Sequence, residues 1–377
     1  MSVTVLPVTT KRERKLFINF NYQLYKDSPY AVPELYSDVD QTLHLQKNPS
    51  LRGCRLQLFL AWKDGGVVGR VAAILQKHAN QRWNTRNVRF GWIDFINDVH
   101  VAEALLTAVA QWGRQHGMTH IQGPMGITDI DPEGMLIQGF DCLGTMSSIY
   151  NYDYYPQLLE QLGFCKETDW VEMKMDVPAQ VPDKYARVSQ LCMQRYGLQV
   201  LTLKSGKELI TKGYGKQMFQ IINESYAPLF GYSQLNSEAI DAYVKKFSQF
   251  LDPRMVCGVL DTEGHLIAVG ASMPSIARAL QKAQGHLWPT GWYHLLRSLK
   301  FRHEEGVELL LIGILPQWQQ KGVTGIIFNH LIQVYQQMHF KWAETNWMLE
   351  DNAKVLTQWQ YLNPQIIKRR RCYIKKI

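Results

Sequence analysis

Apolar residues recur at two different periods along the chain, and stretches with the two periods alternate. Residues 55–75 carry β-type apolar segments on either side of Asp64-Gly65-Gly66, a pattern typical of two strands joined by a tight turn. Residues 101–116 repeat apolar side chains at three- and four-residue spacing, which predicts a helix. A helix is also predicted from Lys11 to Leu24. Short apolar runs at residues 89–96 and 119–126 predict further strands, so the first half has a mixed α/β pattern.

The second half repeats this order of elements without repeating the sequence. It predicts, in order, a helix, a strand pair turning at Thr262-Glu263-Gly264, a strand, a helix, a strand, a short helix and a terminal strand, at residues 213–224, 255–274, 307–315, 325–339, 342–349, 352–361 and 368–377. Two prolines interrupt regular structure within residues 174–188. The sequence therefore predicts two similar domains, residues 1–176 and 177–377.

Composition narrows the class of protein. With 46% hydrophobic and 20% charged residues, the chain can bury a sizeable core. Six scattered cysteines form no CxxC pair, the N-terminus has no apolar signal region, and no apolar run is long enough to span a membrane. We therefore expect a cytoplasmic protein with reduced thiols and no membrane span. The net charge of +8 favours anionic partners without choosing among them.

The segment from Leu309 to Gln337 has the strongest chemical signal. An apolar strand ends before Pro316, a polar loop closes on Lys321-Gly322, and a helix pattern follows at once. A loop of this kind presents backbone N–H groups at the positive end of a helix, which is a suitable site for an anion such as phosphate. The alternative is a helix opened by an ordinary turn.

The order of elements and this loop together resemble the GCN5-related N-acetyltransferase (GNAT) superfamily. The family pattern Q/R-x-x-G-x-G/A corresponds to Gln319-Gln320-Lys321-Gly322-Val323-Thr324, with threonine at the last position. The stretches GPMGITDIDPEGMLIQGFD, NYDYYPQLLEQLGF and AETNWMLEDN also resemble a bacterial two-domain branch described as N-acetyltransferase-like. The resemblance implies an α/β fold of two tandem domains, each a mostly antiparallel twisted sheet flanked by helices.

The resemblance also implies a cofactor, acetyl-CoA or another acyl-CoA, bound by the second half. The backbone of the loop would hold its pyrophosphate, the strand edge from Gly313 to Leu315 would pair with the pantetheine arm, and Asn352 would contact the cofactor. The implied cofactor-binding residues are Gly313, Ile314, Leu315, Gln319, Gln320, Lys321, Gly322, Val323, Thr324, Gly325 and Asn352.

Acyl transfer to an amine needs a base for the amine and an acid for the leaving thiolate. Glu308 opens the strand before the loop, and Glu344 lies in the following strand, where a buried carboxylate is costly unless it is paired or functional. We favour Glu344 slightly and keep both as candidate bases. Trp359 stands where the family commonly has a tyrosine acid, so either Tyr226 or Tyr232 serves, or the thiolate leaves unprotonated.

The first half lacks a cofactor loop, since Asp98 leads directly into a helix, and a carboxylate there would repel pyrophosphate. We therefore predict one acyl-CoA site and an N-acyltransferase acting on a small-molecule or peptide amine. The alternatives are a non-catalytic acyl-CoA or ligand-binding protein, and an aminoacyl or long-chain acyl transferase of the tandem type.

Three further motifs receive plain structural interpretations. The segment DIDPEG resembles the start of a calcium loop, but Phe140 stands where a glutamate ligand is needed, and we expect no metal. The terminal KRRRCYIKKI predicts a solvent-exposed edge strand. No nucleic-acid-binding module is visible, so we do not expect that partner. For the tryptophans near Trp288, Trp292 and Trp318 the default expectation is core packing.

Overall fold

The computed structural model describes residues 2–377, and 14 strands lie within them. The strands are β1 (Thr4–Pro7), β2 (Cys54–Lys63), β3 (Gly66–Gln76), β4 (Asn87–Phe95), β5 (His120–Gly123), β6 (Met135–Gln138), β7 (Cys165–Asp176), β8 (Gln199–Leu201), β9 (Val256–Leu260), β10 (Leu266–Pro274), β11 (Gly306–Ile314), β12 (Trp342–Thr345), β13 (Met348–Leu349) and β14 (Gln365–Lys376).

The same residues form 13 α-helices. They are α1 (Lys11–Leu24), α2 (Tyr36–Thr42), α3 (Lys77–Arg82), α4 (Val99–Gln115), α5 (Tyr154–Gln161), α6 (Asp183–Tyr196), α7 (Glu208–Thr211), α8 (Tyr214–Ser225), α9 (Ser237–Phe247), α10 (Ala277–Ala283), α11 (Gly291–Leu296), α12 (Val323–Gln337) and α13 (Ala353–Leu356). None of the helices in residues 2–377 combines the length and hydropathy needed to cross a bilayer.

The chain divides into two compact units. Unit 1 contains the chain up to Val171 together with Ile276–Leu296 and Ile367–Ile377, and unit 2 contains Glu172–Ser275 and Arg297–Ile366. Each unit has a sheet with both parallel and antiparallel pairs, flanked by helices. The predicted α/β class is therefore confirmed. The division into domains 1–176 and 177–377 stays a prediction, and the compact units differ from it in assigning two later segments to unit 1.

Unit 1 is built on strands in the order β1-β2-β3-β4-β5-β14. The pair β4 and β5 is parallel, whereas β14 runs antiparallel to β5. Alternate residues of β2 and β3 point to opposite faces of the sheet. One face packs against α4 and α5, as in the cluster around Phe59, Val71 and Leu105. The other face packs against α1 and α2 around Phe17 and Ile74.

Unit 2 has the strand order β12-β11-β10-β9-β8, and β7 from Glu172 onward pairs with β12. Its β11 and β12 are parallel, as β4 and β5 are in unit 1. The helix α12 covers one face of the sheet, where a Cβ on Gly270 would meet Ile327. The helix α8 covers the opposite face, where a Cβ on Gly313 would meet Ile222. The central strands are thus covered on both sides.

The structure corrects three of the sequence predictions. The strand predicted at residues 342–349 is broken between Thr345 and Met348, because the side chain and backbone of Asn346 bond to β11 instead of continuing a ladder. The helix predicted at 352–361 is α13 followed by a 3₁₀ segment, Thr357–Leu362. The third correction concerns β14, which pairs with β5 and β6 within unit 1, so the expectation of an exposed edge strand was wrong.

The tryptophans also differ from the default expectation of core packing. Trp288 is 80% exposed and Trp292 is 46% exposed, while Trp318 is half-buried. The two exposed rings lie in a segment of unit 1 that joins α10 to α11 and continues into α11. Sequence could not distinguish them from core residues, because a large aromatic residue fits a buried position and an interaction surface equally well.

Candidate functional site

The strands β11 and β12 of unit 2 run side by side and then part. They pair from Gly306–Trp342 to Leu309–Thr345, after which β12 ends and β11 continues to Ile314. A bulge at Leu310, between the registers of Leu309 and Leu311 with β10, bends β11 at this point. Residues 310–315 are half-buried apart from Gly313. The diverging part of β11 thus offers a partly accessible strand edge, and it includes Gly313, Ile314 and the adjoining Leu315.

Asn346 closes the fork where the two strands part. Its backbone N–H donates to the Leu309 carbonyl at 3.1 Å, and its side-chain amide donates to the Leu310 carbonyl at 3.3 Å. These bonds satisfy the Leu309 and Leu310 carbonyls where the two strands part. The sequence predicted a continuous strand through Asn346 and did not indicate this role.

The loop after β11 leads into the uncapped N-terminus of α12. Gln320 and Gly322 both have left-handed backbone conformations, with φ of 62° and 88°. Gly322 is the N-cap, no side chain caps the helix, and its first turn contains no acidic residue. The first-turn N–H groups of a helix have no partner within the helix. The Gly325 N–H donates to the Gly322 carbonyl at 2.9 Å, and the N–H groups at this end of α12 have the sign that suits an anion.

Lys321 adds a cation beside these donors. Its ammonium lies 4.7 Å from the ring centroid of Trp318 and 5.7 Å from that of Tyr196. Gln319 donates its side-chain amide to the Ile314 carbonyl at 3.2 Å, which ties the loop to the end of β11. The loop is thus fixed at both ends, and its lysine side chain remains exposed.

The two glycines of the loop also serve the packing of α12 on α6. A Cβ on Gly322 would lie 2.9 Å from Val188, and one on Gly325 would lie 2.8 Å from the same side chain. The Cys192 thiol of α6 donates to the Lys321 carbonyl at 3.2 Å. These contacts give the glycines a structural reason that the sequence reading did not assign. Thr324, at the last position of the motif, lies half-buried in the first turn of α12.

The equivalent helix of unit 1 has a different N-terminus. Asp98 caps α4 by accepting from the His100 N–H at 2.9 Å and pairs with Lys63 at 2.8 Å. The hydrogen bond from Lys63 lowers the pKa of Asp98, which therefore carries its charge at neutral pH. A carboxylate thus occupies the position where α12 offers free donors. This contrast agrees with the sequence argument for a single acyl-CoA site in the second half.

The two candidate bases are brought together by strand register. Glu308 and Glu344 are paired positions on β11 and β12, and both side chains are buried. Side chains at paired positions project from the same face, about 5 Å apart at the backbone. Ser275 donates to a Glu308 carboxylate oxygen at 2.9 Å. On its other side Glu344 is paired with Lys174, whose ammonium lies 4.2 Å from the Trp342 ring. The row therefore contains two adjacent buried carboxylates and then a half-buried lysine.

The candidate acids are engaged in hydrogen bonds. The Tyr226 hydroxyl donates to the Ile312 carbonyl at 3.2 Å, on the diverging part of β11. The Tyr232 hydroxyl donates to Asn223 at 2.6 Å, and Tyr232 is buried. Trp359 is a core residue, with its ring 4.6 Å from Phe328 and its indole N–H bonded to the Met348 sulfur. Of the two tyrosines, only Tyr226 bonds directly to the strand that borders the candidate cleft.

Asn352 lies at the start of α13, where its side chain accepts from the Val355 N–H at 3.3 Å and caps the helix. This hydrogen bond stabilises the start of the helix. The contact of Asn352 with the cofactor stays a prediction. Among residues 2–377, no group of three or more His, Cys, Asp or Glu side chains is placed to hold a metal ion.

Unit 1 contains a separate cavity of about 480 Å³ that the sequence reading missed. A volume of this size is typical of small-molecule sites. The residues that line it include Tyr22, Trp92, Tyr150, Gln281 and His286. The His286 ring stacks on Tyr36 and meets the edge of Tyr22.

A buried ion pair forms one wall of this cavity. Arg70 and Asp94 are 2.7 Å apart and both almost fully buried. Asp94 also accepts from Asn21 at 3.0 Å and from the Tyr25 hydroxyl at 2.9 Å. Burial raises the pKa of Tyr25 well above its usual value, so the phenol stays protonated as a donor. Arg70 within the apolar stretch of β3 and Asp94 within that of β4 are the sequence signals that could have indicated this site.

Solved structures identify the fold. A tandem GNAT protein from the clavulanic acid biosynthesis pathway is similar over 100% of this chain and 98% of its own, with a TM-score of 0.56 and 11% sequence identity. A GCN5-related glucosamine N-acetyltransferase region of a fungal multi-domain β-N-acetylglucosaminidase gives the same TM-score at 12% identity, over 99% of this chain and 38% of that one. The chain therefore has the tandem GNAT fold.

Two curated proteins are similar in sequence over almost the whole chain. One is "Bacterial ceramide synthase" from Caulobacter vibrioides, 25% identical over 93% of this chain and 91% of the relative. The other is "Protein YghO" from Escherichia coli, 26% identical over 97% of this chain and 94% of the relative. No protein-family model matches the chain.

Proposed function

We propose that the protein is an acyl-CoA-dependent N-acyltransferase whose acceptor is a long-chain amine. The observation that carries the proposal is the parting of β11 and β12 beside the uncapped N-terminus of α12. Together these features provide a strand edge for an amide-bearing chain and a donor cluster for a pyrophosphate. The similarity to a protein named as a ceramide synthase supports the long-chain amine, because a ceramide is an N-acylated long-chain amino alcohol.

The residues of the loop fit the proposed ligand. The first-turn N–H groups of α12 and the Lys321 ammonium would hold the pyrophosphate, and the main chain of Gly313 to Leu315 would pair with the pantetheine amides. When bound, acyl-CoA would supply the acyl group as a thioester. The positions of these protein groups are fixed before binding, since α6 supports the loop and α8 supports β11.

Glu308 or Glu344 would take the proton that the attacking amine loses as the new C–N bond forms. Ser275 donates to one Glu308 oxygen, whereas Lys174 occupies the strand position paired with Glu344. As the C–S bond breaks, the thiolate needs a proton, and Tyr226 is the candidate donor at β11. If the Tyr226 hydroxyl keeps its proton and its hydrogen bond to the Ile312 carbonyl, the thiolate leaves unprotonated.

The test is an acyl-transfer assay with a long-chain acyl-CoA and a long-chain amino alcohol, following both thiol release and the amide product by mass spectrometry. We expect amide formation, and we expect glutamine at the true base to lower kcat by about 10²- to 10⁴-fold. The variants are Glu308→Gln and Glu344→Gln. The matched control is Glu305→Gln, because Glu305 is exposed and pairs with Lys341.

Two results would count against the proposal. Acyl-CoA binding without thiol release or amide would favour the non-catalytic ligand-binding protein, for which the buried Trp359 is the supporting feature. Product formation only from aminoacyl-transfer RNA would move the function to the aminoacyl transferase alternative, with a steep salt dependence of binding.

A further inference from the structure

Unit 1 exposes a cluster of large apolar side chains in one short segment. Five residues between positions 287 and 296 each expose between 37% and 80% of their surface. We name this cluster the 287–296 patch, and its members are Leu287, Trp288, Trp292, Tyr293 and Leu296. Single exposed apolar residues are ordinary, but a contiguous group marks a surface that meets another body.

The segment that carries the patch is anchored to the rest of unit 1. One face of α10 is buried through Ala277, Leu280 and Ala283. The Gln281 amide donates to the carbonyls of Pro29 and Ala31, at 2.9 and 3.0 Å. The exposure of the patch is therefore a property of a folded element.

The polar N–H group of one patch ring, Trp292, is already hydrogen-bonded within the segment. The indole N–H of Trp292 donates to the Pro289 carbonyl at 3.0 Å, so it needs no donor or acceptor from a partner. Gly291 permits the tight path of the chain here, since a Cβ would collide with the His286 carbonyl. The Trp292 ring also contacts Tyr293 edge-on, with centroids 6.2 Å apart.

The segment of unit 1 that carries the patch has charges of one sign. Its residues 276–296 contain no aspartate or glutamate and two basic residues, Arg278 and Lys282. Trp and Tyr concentrate at membrane–water interfaces, where leucine enters the acyl boundary and basic side chains meet anionic headgroups. An anionic bilayer surface matches both the aromatic side chains and the basic residues of this segment.

We propose that the 287–296 patch docks the protein on a membrane surface that contains anionic lipids. The inference goes beyond the proposed function and does not depend on it, because it concerns binding to a bilayer without any reaction. Gln284 and His286, immediately before the patch in the chain, line the 480 Å³ cavity of unit 1. Docking would therefore place the segment that lines this cavity against the lipid surface.

The experiment is vesicle co-sedimentation of the full chain without acyl-CoA. Vesicles of phosphatidylcholine with phosphatidylglycerol in equal parts are compared with vesicles of phosphatidylcholine alone. We expect binding to the anionic vesicles, at least ~10-fold weaker partitioning for the double variant Trp288→Ser/Trp292→Ser, and a smaller loss for Trp288→Ser. The matched control is Trp83→Ser, another exposed tryptophan of unit 1, which lies beside Arg82.

Circular dichroism and urea unfolding establish that the variants are folded, and the most exposed position, Trp288, makes the single variant the mildest change. Anionic-vesicle binding that Trp83→Ser retains and the patch variants lose supports the proposal. Absence of binding by the unmodified chain overturns it, as does equal binding by the double variant. A self-associated chain that the double variant converts to monomers would also overturn it, and would make the patch a contact between copies.

Discussion

Carboxylates inside apolar strands are the residues that carry the chemical argument in both units. Isolating such a charge from water is costly unless a partner offsets it. The charge of Asp94 is offset by Arg70 within unit 1, and within unit 2 Lys174 occupies the strand position paired with Glu344. The difference is that Asp94 is surrounded by four side chains that donate to it, which makes it a fixed structural anion and leaves Glu308 and Glu344 as the candidates for proton transfer.

Charge reversal at Lys321 tests the proposed pyrophosphate site. An exposed charge contact contributes up to ~1 kcal/mol, and reversal replaces it with a repulsion of similar size, so we expect Lys321→Glu to weaken acyl-CoA binding by about tenfold or more. Calorimetric titration at two salt concentrations measures it, and the loss should shrink at high salt. Lys245→Glu on α9 makes the same change in net charge and should bind normally. Unchanged affinity for Lys321→Glu would place the pyrophosphate elsewhere.

The buried carboxyl of Glu133 leads to a prediction of how folding stability depends on pH. Burial, with the charge of Asp129 nearby, raises the pKa of Glu133 well above its ordinary value of 4.5. Between the ordinary and the raised pKa, the folded protein holds a proton that the unfolded chain releases, so this group lowers stability as pH rises. We expect Glu133→Gln to match the unmodified protein near pH 4.5 and to be more stable at pH 8.

Urea unfolding of both proteins at the two pH values measures the difference. The matched control is Glu103→Gln, since Glu103 is an exposed residue of α4, and its effect should be independent of pH. A Glu133→Gln effect that is constant or that grows toward acid would show that the carboxyl is ionised in the folded state.

How far residues could be predicted depends on whether their role is local. The sequence offered Glu308, Glu344 and the loop from Gln319 to Gly325 as candidates, because motifs and alternation are local properties, and their roles stay predictions. It could not pair the two glutamates, since the register of neighbouring strands is set by tertiary contacts. For the same reason it could not find Ser275 as the partner of Glu308 or the contact of Gly322 with Val188.

At the scale of elements, α4 and α12 are equivalent helices with opposite N-termini. Asp98 both caps α4 and pairs with Lys63. We expect Asp98→Ala to lower the free energy of unfolding by about 1–2 kcal/mol, because the cap is lost. The side-chain bond from Lys63 holds the pKa of Asp98 below its ordinary 3.8, so its contribution is present at neutral pH and is lost as pH falls through the lowered pKa.

Urea unfolding near neutral pH checks this prediction. Asp98→Asn is the informative comparison, since asparagine caps helices well but cannot form the ion pair, and it should cost less than Asp98→Ala. Equal losses for both variants would show that the ion pair and not the cap stabilises the start of α4.

Elements with a strong period were predicted well, as α1 and the pair β2–β3 show. The misses have physical causes. The break after Thr345 arises from bonds between Asn346 and β11, which no local pattern records. For β14, six basic residues suggested exposure to solvent, yet Lys368 and Arg370 are buried and Arg371 pairs with Asp169. Partners distant in sequence decided that outcome.

Residues 2–377 contain two GNAT-type sheets, and among these residues only unit 2 has the uncapped helix beside the parted strands. We therefore expect calorimetric titration with acyl-CoA to give one site per chain. The dephospho analogue should bind more weakly at the same stoichiometry if it loses an ionic contact, and Asp98→Ala should not create a second site. Two sites per chain in the unmodified protein would show that unit 1 binds acyl-CoA in spite of Asp98.

The composition of unit 1 has a consequence for synthesis of the chain. Its core includes Tyr373, fully buried among residues of β4 and α5, and β14 supplies the partner of β5. A ribosome adding roughly 5–20 residues per second needs about 10–40 s to make the 195 residues between Val171 and Ile367. In nascent unit 1, the edge of β5 that pairs with β14 therefore stays unpaired until β14 has been synthesised. A gene cut after codon 176 would leave it in that state permanently.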